Sequence, residues 1–81
     1  MNVNKAASLV KKKNPDKKIT ICNETKKLYL FAMIPNELRE SDGYADGLVY
    51  TVNKVTGIYK EVNFIEVIKL PIIKEHNVKD L

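Results

Sequence analysis

The stretch that decides the fold is KITICNETKKLYLFAMI, residues 18–34. In its first part Ile19 and Ile21 alternate with Thr20 and Cys22. That period of two predicts a strand over 18–23 with the isoleucines on one face. Asn23-Glu24-Thr25-Lys26 is polar and turn-forming, so the chain should reverse there in a hairpin. The run from Lys27 to Ile34 is apolar on both sides: Leu28, Leu30 and Ala32 on one, Tyr29, Phe31 and Met33 on the other. Such a strand sits inside a sheet with both faces covered, or serves as an interface strand. Pro35 ends it.

Upstream of this hairpin, Val3, Ala6, Ala7 and Val10 stand at helical spacing and predict a helix over residues 3–13. Asn2 or Asn4 is placed to cap it, and Lys11, Lys12 and Lys13 meet the negative end of its dipole. Asn14-Pro15-Asp16 stops it. The stripe is mostly small residues, which lets the helix lie close on the sheet.

Downstream, residues 35–47 (PNELRESDGYADG) form a polar, acidic loop with room for a short helical turn near Asn36–Arg39. Leu48–Asn53 alternates as a strand, Lys54-Val55-Thr56-Gly57 is a tight turn, and Ile58–Val62 returns as a strand. Lys60 among apolar neighbours marks that last strand as a sheet edge. Asn63 with Glu66 three residues on has the spacing of a capping box. This predicts a short helix over 64–69 with Phe64, Ile65 and Ile68 inward, a strand being the rival. Pro71 ends it, and residues 72–81 are expected to form a flexible tail. The expectation is a single α+β domain over residues 1–71, in the order α-β-β-β-β-α. Its antiparallel sheet should carry the N-terminal helix and a short C-terminal helix.

The chain has 81 residues, a formal net charge of +4, 44% hydrophobic and 30% charged residues. That composition is globular and leaves room for one modest core. The single cysteine, Cys22, cannot form an internal disulfide. Met1-Asn2-Val3-Asn4-Lys5 leads into no apolar segment of the kind that follows a signal peptide's start. The longest apolar run, Leu28–Ile34, is far short of the ~20 residues of a membrane-spanning helix. A cytoplasmic protein without membrane contact is expected.

The residues offer little chemistry. His76 is the one histidine, with no cysteine or second histidine near it in sequence, and zinc needs about four ligands. Cys22 lies mid-strand and reads as a small buried hydrophobe. Glu37, Glu40, Asp42 and Asp46 could supply calcium with oxygens, but the acidic spacing of an EF-hand is absent. The three glycines are scattered and form no phosphate loop. No cofactor, metal or catalytic residue is expected.

The sharpest local feature is basic: Lys5, Lys11, Lys12, Lys13, Lys17 and Lys18 are opposed only by Asp16 in the first eighteen residues. It reads first as a solvated helix end. Its rival readings are a phosphate-binding patch and a surface for an acidic protein. The one arginine lies far away and no aromatic residue stands among these lysines to stack a base.

Two parts of the chain resemble known families. The helix ending at Asn14-Pro15-Asp16, then Lys18-Ile19-Thr20-Ile21, then Val52-Asn53-Lys54-Val55-Thr56-Gly57-Ile58, resembles the layout of PepSY-type domains. There a helix precedes a strand and a final hairpin carries a D-x-x-T-G-like turn. Asn53 stands where that family usually has aspartate. The helix of residues 63–70 is similar to that of small YrhB-like immunity domains, and to short uncharacterised proteins of Gram-positive bacteria and their prophages. The first resemblance implies an exported domain that restrains peptidases, the second a cytosolic one that neutralises toxins. Neither implies a catalytic residue.

The expected function is therefore a non-enzymatic protein-binding module of bacterial or prophage origin, immunity- or inhibitor-like. Its candidate contact residues are Lys11, Lys12, Lys13, Lys17, Lys18, Glu37, Arg39, Glu40, Asp42 and Tyr44. The strand edge and the tyrosines Tyr29, Tyr50 and Tyr59 are further contact candidates, against plain sheet packing. The rival functions are a nucleic-acid-associated protein using the lysine segment, and a homo-oligomer assembling through strand 27–34 or an open edge.

Overall fold

Helix α1 (Val3–Lys13) begins where Asn2 turns its side chain back to accept from the Lys5 amide at 2.9 Å. It ends at Asn14, whose amide side chain donates to the Val10 carbonyl at 2.9 Å. Ala6, Ala7 and Val10 are its buried stripe. The computed structural model describes residues 1–81. After α1 come β1 (Lys17–Glu24), β2 (Leu28–Pro35), β3 (Leu48–Asn53), β4 (Tyr59–Asn63), helix α2 (Phe64–Val67) and β5 (Lys74–His76). Short 3-10 turns lie at Glu40–Asp42 and Val78–Asp80.

The five strands form one antiparallel sheet in the order β4-β3-β2-β1-β5, with the doubly apolar β2 at its centre. The β1–β2 turn is tied by Thr25, whose hydroxyl oxygen accepts from the Leu28 amide at 3.0 Å. The β3–β4 turn is capped by Asn53, whose side chain accepts from Val55 and Thr56 at 2.8 and 2.9 Å. Gly57 closes that turn at φ 74, a conformation glycine adopts without strain. Charged Lys60 lies on β4, which is an edge strand as its sequence predicts.

One irregularity in β1 changes the reading of the sheet. Ile19 pairs with Met33 but Ile21 pairs with Ala32, so Thr20 is an extra residue. This bulge breaks the alternation of two. Ile19 and Cys22, not Ile19 and Ile21, share the face under α1, where both are buried. Ile21 is turned to the opposite face and is 52% exposed. The core lies between α1 and its sheet face, where Ala6, Ala7 and Val10 meet Phe31, Met33, Tyr50 and Val52.

Two further expectations change. In α2 the capping box forms as its spacing predicts: the Asn63 amide donates to Glu66 at 2.9 Å, and Asn63 accepts from Ile65 at 3.0 Å. The helix is only four residues long, however, and its buried residue is Val67; Phe64, Ile65 and Ile68 are exposed. Pro71 cannot supply an amide hydrogen, and the chain instead runs extended from there into a strand. Residues 72–81, expected to form a flexible tail, accordingly carry β5, which pairs with Cys22–Glu24 of β1.

Close packing at α1 gives the first prediction. Ala6 is fully buried, so Ala6→Leu should overpack the helix–sheet contact and cost about 1–3 kcal/mol in a urea titration. Gly57→Ala should cost about 1–2 kcal/mol, because its positive φ is unfavourable for a residue with a Cβ.

Candidate functional site

The sheet face away from α1 is only partly covered. Strand pairing places Ile21, Leu30 and Ala32 there, and these with Val49 form the floor of an open groove. Phe64, Val67 and Ile68 of and just after α2 make one wall, and Leu70 and Ile72 continue it. Asn23 is the only polar residue lining the groove, whose volume is about 290 Å³. Ile21, Phe64, Ile68, Leu70 and Ile72 are all exposed large apolar side chains. Scattered exposed hydrophobes need no explanation, but a contiguous set around one concavity marks a contact surface.

The wall of the groove is fixed by a polar hub on the other face. Glu24 of β1 accepts from the Lys54 ammonium with one carboxylate oxygen, and His76 Nε2 lies 2.8 Å from the other. Lys54 also donates to the Thr25 carbonyl at 3.1 Å. The Ile73 amide donates to the Glu24 carbonyl at 2.8 Å, so Glu24 holds β5 by backbone and side chain together. Tyr29 packs edge-on against His76. The Lys54 ammonium first, and the His76 ring second, hold the Glu24 carboxyl below the usual carboxylate range. Leu70 and Ile72 therefore sit in a segment pinned at Val67 by the Leu70 amide and at Glu24 by Ile73 and His76.

The predicted contact residues are not gathered into one site. Lys11, Lys12 and Lys13 lie in the last turn of α1; Lys11 donates to the Leu81 carbonyl at 3.0 Å and Lys13 lies over the Tyr59 ring. Lys17 and Lys18 are adjacent on β1 and so point to opposite faces. Lys17 donates to the Tyr50 hydroxyl at 2.7 Å, and Tyr50 donates to Asp46 at 3.2 Å. That hydrogen bond from Lys17 pushes its own pKa up, and burial pushes the Tyr50 phenol up. In the loop, Arg39 pairs with Asp42 at 3.5 Å, while Glu37 and Glu40 are exposed. Of the four tyrosines only Tyr44 is exposed. Tyr29 and Tyr50 are buried in the core, which takes them out of any contact surface, and Tyr59 packs partly against that core.

No group of three or more His, Cys, Asp or Glu side chains converges. Cys22 is buried, and burial pushes its thiol up to about 11, far from the range of a reactive thiolate. No helix is long and apolar enough to cross a membrane. The groove itself is absent from the sequence-based list of contact residues. Its signal lies in FIEVIKLPII, residues 64–73, where apolar residues exceed what one face of a short helix can bury.

Glu24 makes the fold acid-sensitive. Its folded-state pKa is depressed, so its contribution is fully present above the unfolded carboxylate value of about 4.3 and is lost as pH falls through the folded value. Melting temperatures measured from about pH 7 downward should drop across that acid window. Glu24→Gln should melt lower at neutral pH and show a shallower acid drop; an unchanged acid profile would remove Glu24 as its source. Compared with known proteins, the chain matches no family model, no curated protein and no solved structure.

Proposed function

We propose that this chain is a non-enzymatic, cytoplasmic protein-binding module whose contact surface is the apolar groove between the sheet and α2. The observation that carries the reading is a concave surface with Asn23 as its only polar lining residue, bordered by half-exposed Ile21, Phe64 and Ile68. Leaving that much apolar surface in water is unfavourable, by roughly 25 cal/mol per Å², and a partner that covers it recovers this free energy.

The ionisable groups support a role without chemistry. Cys22 and Tyr50 are shifted away from their reactive ionised forms, Lys17 is held as an ammonium, and Glu24 is held as a carboxylate by hydrogen bonds from Lys54 and His76. Each carries a structural hydrogen bond or is buried, so none is poised to gain or lose a proton near neutral pH. Such a protein acts by occupying another, as an inhibitor-like module does.

The test is site-specific photo-cross-linking in the cells that make the protein. A cross-linker replacing Ile68 should give a defined heavier adduct, and the same group replacing Lys12 should not. No adduct from Ile68 would remove the reading; an adduct of twice the chain's mass would replace it with self-assembly.

A further inference from the structure

The charges around the groove specify the chemistry of what fills it. Three hollows adjoin the groove: one shares Val67 with it, a second shares Leu70, and a third shares Ile21 and Asn23; the first two share Leu28 and Asn53 with each other. Together they form one continuous surface around α2. Its lysines are Lys60 in the first hollow and Lys26 and Lys27 in the second, against one carboxylate, the exposed Glu75 in the third, so positive charge outnumbers negative three to one around the groove. All three lysines are exposed. Of the carboxylates near these lysines in sequence, Glu24 is engaged with Lys54 and His76, Glu61 accepts from the Tyr59 hydroxyl, and Glu66 closes the α2 capping box.

The architecture specifies a shape as well. On the far face α1 spans about 16 Å of sheet, its eleven residues rising ~1.5 Å each. On the groove face α2 has four residues, about 6 Å, against an eight-residue central strand of about 27 Å. A sheet apolar on both faces is completed by a helix layer on each.

We propose that the groove receives an amphipathic helix of a partner protein, with an apolar stripe facing Leu30, Ile21 and Ile68 and acidic flanks facing Lys26, Lys27 and Lys60. This rests on the groove being the contact surface. A second copy of the chain is the wrong occupant, because it sets three lysines and one carboxylate against the same set, on two molecules of charge +4. A flat lipid surface does not fill a concavity whose apolar floor lies behind the α2 wall.

The experiment uses the full chain and two labelled peptides of about 18 residues, long enough to hold a helix. Both carry the same leucine stripe; one is flanked by glutamate, the other by lysine. The glutamate peptide should bind at least ~10-fold more tightly at low salt, with the gap closing as salt rises. Amide resonances of Ile21, Leu30 and Ile68 should shift with it. Ile21→Lys should abolish binding of both peptides with the melting temperature unchanged, since Ile21 is half exposed. Lys26→Glu, Lys27→Glu and Lys60→Glu combined should reverse the preference. Equal or tighter binding of the lysine peptide overturns the inference. So does tighter binding to vesicles of anionic phospholipid, or dimerisation in sedimentation that Ile21→Lys abolishes. If neither peptide binds but the Ile68 cross-link forms, the inference fails and the protein-binding reading stands; if the cross-link also fails, both fall.

Discussion

The structure depends on a mismatch: a central strand that is apolar on both faces, and one long helix to cover it. Burial of Phe31, Met33, Tyr50 and Val52 under Ala6, Ala7 and Val10 uses that helix on one side. The alanines matter because they bring the helix backbone close to the sheet and leave no gap over the small core. On the other side the chain has only α2 and the extended segment after it. The groove is what remains when four helical residues are set against three strands. The binding surface and the core thus have one origin, in the composition of LYLFAMIP.

Most elements were legible because their signals are local. The α1 stripe, the Asn2 cap, the Asn53–Gly57 turn and the Asn63–Glu66 capping box each lie within a few residues, and each forms as its spacing predicts. What could not be read is set by contacts between distant residues. The bulge at Thr20 is a property of the β1–β2 register, and it moves Ile21 from core to groove. Strand β5 has only three residues, two of them charged, and exists because β1 offers it an edge and Glu24 an anchor. The lysine segment reads as one patch in sequence, yet strand alternation and the Tyr50 hydroxyl separate Lys17 from Lys18. The tyrosines read as contact residues are largely core because β2 and β3 place Tyr29 and Tyr50 beneath α1.

Three polar clusters hold this small core in register. Lys17–Tyr50–Asp46 ties the acidic loop to β1 and β3, and Asn14–Tyr59–Glu61 ties the end of α1 to the edge strand β4. Glu24–Lys54–His76 ties the end of β1 to β5 and to the turn that follows β3. No buried side-chain nitrogen or oxygen is left without a partner. Satisfied networks of this kind fix one arrangement where apolar packing alone tolerates several. Here they also draw the ionisable side chains into structure.

The lateness of β5 has a consequence for how the protein is made. Glu24 and His76 are 52 residues apart, so during synthesis β1 emerges well before the strand that covers it. At about 5–20 residues per second, that interval is roughly 3–10 s. For that time the outer edge of β1 presents unpaired amides and carbonyls to any other nascent chain. The strand KKITICNE carries Lys17, Lys18 and Glu24 at its two ends, and those charges guard an otherwise β-prone run against pairing until the chain's own last strand arrives.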